Sequence, residues 1–135
     1  RNLGNRNTEK IVEGIFEKLG YEMIGKNSFD GNGGDADLIY ISNSVSEFFE
    51  VSANSTKIES QKVYVQIKNK RGEDSNDTAG IEQLCRRTSE DLSSVKILIS
   101  TADKFTTECQ EAARKNNVLL VDGKGLLKLV IKYIV

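Results

Sequence analysis

The sequence predicts an α/β fold in which strands and helices share one domain, with parallel strand pairing in its second half. Three observations predict it. Val63-Tyr64-Val65-Gln66-Ile67-Lys68 alternates apolar and polar residues, the period of a strand with two unlike faces. Residues 8–19 place Ile11, Val12, Ile15, Phe16 and Leu19 at helical spacing, as one apolar stripe. From residue 78 onward helical patterns alternate with short apolar runs, which implies right-handed crossovers and parallel pairing in that half. A chain of 135 residues with 38% hydrophobic residues can bury a core as a single domain over 1–135.

Taken in order, the first helix spans residues 8–19, capped by Asn7 or Thr8 and ended by Gly20. Glu9 falls in its first turn, where an acid complements the helix dipole. Tyr21 to Ile24 is a short strand, and Lys26 to Gly34 a polar, glycine-rich loop. Gly31-Asn32-Gly33-Gly34 is followed by Asp37-Leu38-Ile39-Tyr40-Ile41, a strand pattern. A dinucleotide-binding loop needs a helix there, so that reading is rejected. The glycines instead let the backbone bend sharply and deliver Asp37 to the start of the strand.

Residues 42–60 carry Phe48, Phe49 and Val51, which suggest a further strand or an extended hairpin, and a Ser/Asn-rich turn at 52–56. Strand 62–69 follows, then a charged loop from Asn69 to Asp77. Thr78 to Leu92 reads as a helix with Ile81, Leu84, Cys85 and Leu92 on its inner face. Val95 to Ser100 is a strand. Lys104 to Asn116 is a helix using Phe105, Cys109, Ala112 and Ala113. Val118 to Val121 is the last strand, and from Gly123 a final helix uses Leu126, Leu127, Val130, Ile131 and Ile134.

Composition narrows the chemistry. The chain has no histidine, which removes His-based acid/base catalysis, Ser-His triads and His-ligated zinc. Catalysis would rest on carboxylates, lysines and a hard metal ion. Net charge is −1, so a nucleic-acid site has to be a local patch, or a partner domain supplies affinity. Cys85 and Cys109 fall on apolar helix faces and read as free thiols. No apolar run is long enough to span a bilayer and no signal-peptide pattern is present, so a cytoplasmic location without membrane association is expected. A start at Arg1 rather than Met fits a domain trimmed from a longer chain.

Side chains two apart on a strand share a side, so Tyr64, Gln66 and Lys68 project together. With Asp37 entering the neighbouring strand, a carboxylate, an amide and an amine could gather around a metal ion and a water beside a phosphate. The ordinary reading of these residues is a polar strand start and the solvent face of a half-exposed strand.

Asp37…Gln66-Ile67-Lys68 resembles the PD-(D/E)xK nuclease signature, in the variant with Gln for the second acid that is typical of Mrr-type restriction endonucleases. Further segments match that group in order. Residues 8–21 resemble its first helix. Ile97 to Glu108 resembles its strand, Ser/Thr, Phe and helix segment, and Val118 to Gly123 with Leu126-Leu127 its closing strand, Asp-Gly and helix. The resemblance covers roughly residues 8–133 and implies a restriction-endonuclease-like three-layer fold with a central mixed sheet. It implies Mg²⁺, with Mn²⁺ as a substitute, held by Asp37 and the main-chain carbonyl of Ile67. Gln66 leaves that site with less negative charge, and Lys68 would orient water or neutralise the transition state.

Glu9 keeps two readings, a dipole complement or the helix-one acid of the family's metal site. Asp35 assists the metal or only shapes the turn. Lys70 and Arg71, and likewise Arg86 and Arg87, are phosphate contacts or solvated charges. The expected activity is Mg²⁺-dependent hydrolysis of DNA by a restriction or defence nuclease, paired as a homodimer or served by a separate recognition domain. The alternatives are a catalytically silent nucleic-acid-binding or assembly module of the same fold, and a nuclease acting on branched DNA or RNA.

Overall fold

A computed structural model describes residues 3–29, 35–42, 61–69, 74–91 and 93–135. Five strands form one sheet in the order β1 (Glu22–Phe29), β2 (Asp35–Ser42), β3 (Gln61–Lys68), β5 (Val95–Ser100), β7 (Val118–Val121). The pairs β1–β2 and β2–β3 are antiparallel, while β3–β5 and β5–β7 are parallel. The sheet is therefore mixed, with its parallel half in the second part of the chain, as the alternating pattern predicts. A separate two-stranded parallel pair joins β4 (Asp74–Ser75) to β6 (Lys104–Phe105).

Helices cover both faces. On one side α1 (Leu3–Lys18) and α4 (Gly123–Tyr133) pack Val12, Ile15, Phe16 and Leu126 against Leu38, Tyr40, Val63, Val65, Ile97 and Ile99. On the other, α2 (Thr78–Arg87) and α3 (Thr107–Asn116) pack Ile81, Leu84, Cys109 and Ala113 against Ile39, Tyr64, Leu98 and Val118. Alternation along β3 divides its side chains between these two cores. This is a three-layer α/β/α arrangement. Among the described residues no helix is long and apolar enough to cross a membrane.

Several boundaries differ from the sequence expectation. Helix α1 begins at Leu3, so Asn7 and Thr8 lie inside it and cap nothing. Its first turn holds no acid, and Glu9 sits a turn further in. The helix ends where expected: Gly20 has φ +82, Gly20 N donates to Glu17 O, and Tyr21 N donates to Phe16 O. Strand β1 runs on to Phe29 and takes in Lys26, which the glycine-rich composition had assigned to a loop. Asp35 and Ala36 are already strand, so Asp37 is the third residue of β2 rather than the end of a turn.

Helix α2 stops at Arg87, with Thr88 as its C-cap, where the backbone leaves the helical conformation (φ −105, ψ 12) while the Thr88 N–H and hydroxyl still donate to Leu84 O. Helix α3 starts at Thr107. The Thr106 side chain accepts from Cys109 N, and Phe105 belongs to β6. Asp122 caps α4 by accepting from Gly125 N at 2.8 Å. On α4 the inward stripe is Leu126, Leu129, Val130 and Tyr133, while Leu127, Ile131 and Ile134 are exposed. Ile11, assigned to the buried stripe of α1, is also exposed. Both cysteines are free, Cys109 buried and Cys85 half-buried. Most of 42–60, the residues 30–34 with their glycines, and Leu92 lie outside the described residues.

Candidate active site

The polar residues converge where the β2–β3 ladder ends. The last main-chain pair is Leu38 with Val65, and Ile39 faces Tyr64 one residue further into the sheet. Beyond Leu38 a side chain takes over the pairing, as Asp37 Oδ2 accepts from Ile67 N at 2.6 Å. A strand residue projects its N–H and its carbonyl to the same side, so the Ile67 carbonyl also faces Asp37. The next residue alternates: Lys68 O accepts from Thr101 N, on the β5 side. The sheet thus presents a carboxylate and a main-chain carbonyl on the same strand edge.

Asp37 lies two residues from Ile39, and Gln66 and Lys68 two and four from Tyr64. All three therefore sit on the face that carries α2. Gln66 is buried, with 4% of its surface exposed. Burying a carboxamide is costly unless it is hydrogen-bonded. Gln66 Nε2 meets that requirement by donating to Gln83 Oε1 of α2 at 2.6 Å. Gln83 was not singled out from the sequence. Its one signal is a polar residue two positions from Ile81 and one from Leu84, beside the buried stripe of α2. With the nitrogen turned to Gln83, the Gln66 carboxamide oxygen points the other way.

Glu9 arrives from the opposite layer. It is 5% exposed on α1, and Lys26 of β1 reaches it at 3.3 Å while also contacting Glu13 at 3.3 Å. The two glutamates raise the Lys26 ammonium above the usual lysine range. Glu9 is thus held on the α1 side, while Asp37, Gln66 and Lys68 share the α2 side. Helix α1 is also tied to the chain just beyond β3. There Asn69 Oδ1 accepts from Thr8 Oγ1 at 3.2 Å and from Thr101 Oγ1 at 3.1 Å.

Lys70 and Arg71 lie outside the described residues, as does the side chain of Asp35. Arg86 is exposed and forms an i,i+4 ion pair with Glu82. Arg87 lies 5.3 Å from the Tyr64 ring centre. Tyr64 is four residues back along β3, about 13 Å from Lys68 at 3.3 Å per residue. Arg87 therefore sits over the middle of β3 rather than at Lys68.

The oxygens of Asp37, Gln66 and Ile67 are hard donors with a single negative charge among them, chemistry suited to Mg²⁺ rather than to a soft metal. Among the described residues no group of three or more His, Cys, Asp or Glu side chains could hold a metal on its own. On this face Asp37 is joined by an amide and an amine, Gln66 and Lys68, rather than by further carboxylates.

A family model described as restriction endonuclease, Mrr_cat, matches residues 1–130. The chain belongs to this restriction endonuclease family. Its fold is similar to the solved structure described as "MspJI Restriction Endonuclease in Complex with 27-mer Oligonucleotide", with a TM-score of 0.59 and 15% sequence identity. The match covers 94% of this chain and 28% of that one, so the chain spans well under half the length of that neighbour. No curated protein matches the chain. Within the family, the Asp37, Gln66 and Lys68 face stands at the carboxyl end of β3, the usual side for a ligand site beside parallel strands.

Proposed function

We propose that this restriction endonuclease domain hydrolyses DNA phosphodiester bonds with Mg²⁺, and that Asp37, Gln66, the Ile67 carbonyl and Lys68 form the site. The observation that carries the proposal is the Asp37 Oδ2 to Ile67 N bond at 2.6 Å. It locks the carboxylate of one strand against the Gln66-Ile67-Lys68 run of the next. When bound, Mg²⁺ supplies charge neutralisation at the phosphate and a more acidic water. Asp37, the Ile67 carbonyl and the Gln66 carboxamide would hold it.

The protein's own residues do the rest. Asp37 contributes the only formal charge among these ligands, so the phosphate of the substrate becomes part of the metal's anchorage. Weak metal binding in the absence of DNA follows. Lys68, one strand period beyond Gln66, orients the attacking water and offsets charge that grows on the phosphate oxygens. Glu9 is the reserve carboxylate, held by Lys26 on the α1 side.

Sequence recognition lies outside these elements in our proposal, in a further domain, a partner or a second copy. The net charge of −1 supports this division, because phosphate contacts need clustered Lys or Arg. Two sites are needed to cut both strands at once, which favours a homodimer on DNA.

The test is cleavage of methylated and unmethylated plasmid, branched DNA, single-stranded DNA and RNA with Mg²⁺, Mn²⁺ or EDTA, alongside Asp37→Ala and Lys68→Ala. Metal-dependent cutting of DNA that both variants lose is the expected result. Cutting that survives both substitutions would sink the site assignment. Binding of DNA without cutting would favour a silent module, and preferential cutting of RNA or branched DNA would change the substrate.

A further inference from the structure

Asn69 is the first residue beyond β3 and follows Lys68 directly. Three parts of the molecule meet on its side-chain oxygen. Thr8 of α1 and Thr101 at the end of β5 both bring their hydroxyls to Asn69 Oδ1, at 3.2 and 3.1 Å. Thr8 is buried and adjoins Glu9. Thr101 also donates its N–H to Lys68 O at 3.1 Å. The network continues through the next residue: Ala102 N donates to Ser100 Oγ, and Ala102 O accepts from Gly123 N at the start of α4.

An amide oxygen has two lone pairs, and here two hydroxyls from different layers converge on it. Neither threonine is needed to form its own element. Thr8 lies inside a helix, and Thr101 follows a strand already paired on both sides. Their common geometry is accounted for by Asn69. The contacts join the layer that carries Glu9 to the strand end that carries Lys68.

We propose that Asn69, with Thr8 and Thr101, is a positioning clamp that fixes the Lys68 backbone and the Glu9 turn of α1 relative to each other. The proposal rests on the nuclease reading above. Asn69 itself need not touch the substrate. Its role is to hold the end of β3 at the geometry in which the amine of Lys68 meets the reacting phosphate.

The test compares Asn69→Ala, the double variant Thr8→Val/Thr101→Val, and the three substitutions combined. Cleavage is measured under multiple-turnover conditions, and folding is checked by thermal unfolding. The expected result is a fall in kcat of about 10- to 100-fold with KM nearly unchanged, the scale on which a small misplacement acts. The combined variant should be no worse than Asn69→Ala, because all three residues act through one junction. The valines keep the threonine shape, so they carry the test even if Asn69→Ala folds poorly. Unchanged kcat in Asn69→Ala, with a wild type that cuts, would overturn the clamp alone. So would a rise in KM at constant kcat, which would make Asn69 a DNA contact, or fully additive losses. If neither the wild type nor its Asp37→Ala and Lys68→Ala variants cut any substrate with metal, the nuclease reading falls and the clamp falls with it.

Discussion

Gln66 and Gln83 face each other across 2.6 Å, with the Gln66 nitrogen donating to the Gln83 oxygen. The pair ties the carboxyl-terminal half of β3 to α2 and fixes which atom of the Gln66 carboxamide looks toward α2. Gln83→Leu removes the acceptor and leaves a buried amide without it. The expected cost is about 1–3 kcal/mol of stability, the penalty for a buried polar group that loses its partner. Cleavage should fall as well, because the Gln66 oxygen loses its fixed aim. Chemical denaturation and a cleavage assay check both effects. A Gln83→Leu protein with wild-type stability and activity would show the pair to be incidental.

Gln66→Glu places a second carboxylate beside Asp37. The Gln83 amide can rotate and donate to it, so the variant is expected to fold. Ligand charge is a main lever on affinity for hard cations, so binding of Mg²⁺ or Mn²⁺ without DNA should tighten by about tenfold or more. Isothermal titration of both metals measures it. Equal affinities in the two proteins would remove Gln66 from the proposed ligand set.

Gly123 sits where a side chain has no room. A Cβ there would lie 2.8 Å from Thr101 O and 2.9 Å from Ala102 O, both main-chain atoms. Its own N–H donates to Ala102 O at 2.7 Å, so the close approach is part of the bonding. Gly123→Ala should cost about 1–3 kcal/mol through backbone displacement. It should also lower cleavage, since Thr101 carries that displacement to Lys68. Thermal unfolding and kcat, measured together, test the link.

The Tyr40 ring stacks on Phe16 with centres 4.3 Å apart, and its hydroxyl is buried with no hydrogen-bond partner among the described residues. Burial, followed by the charges of Glu13, Glu9 and Glu17, pushes the Tyr40 phenol well above the usual tyrosine range. The folded state therefore keeps a proton that the unfolded chain releases near pH 10. The unfolded state then binds fewer protons, and stability falls as pH rises past that point. Tyr40→Phe should hold or gain about 1 kcal/mol at neutral pH and flatten the alkaline fall. Urea unfolding at pH 7 and pH 10.5 checks it, and a large loss at pH 7 would mean the hydroxyl has a partner after all.

On α4, Leu127→Lys and Ile131→Lys should each change stability by no more than about 0.5 kcal/mol, as for ordinary surface positions. Leu126→Ala should cost about 2 kcal/mol or more. The opposite ranking would place the other stripe of the helix against the sheet.

Much of the architecture is legible in residue order. The strand period of 63–68, the apolar runs at 95–100 and 118–121, and the Asp122-Gly123 start of α4 each have a local cause. The family was legible as well: the resemblance to a restriction endonuclease is borne out by the family model that matches residues 1–130. Boundaries were less legible where a side chain competes with the backbone. Helix α2 ends early at the C-cap Thr88, whose hydroxyl bonds back to Leu84, and Thr106 delays α3 by capping it. Lys26 extends β1 through a polar stretch because β2 lies beside it to pair with.

Local pattern sufficed for the strands of the five-stranded sheet, the existence of the helices and the polar face of β3, because hydrophobic period and capping act between near neighbours in the chain, whereas β4 and β6 fall in a stretch read as loop and at the start of a stretch read as helix. Tertiary structure alone decided which stripe of α4 turns inward. Leu126, Leu127, Leu129, Val130, Ile131 and Ile134 are all apolar, and only the neighbouring sheet and α1 choose among them. It also decided the partners Gln66–Gln83, Glu9–Lys26 and Asn69 with its two threonines. Those contacts join residues 17 to 61 positions apart or lie between different layers, and no local period encodes a meeting made by packing.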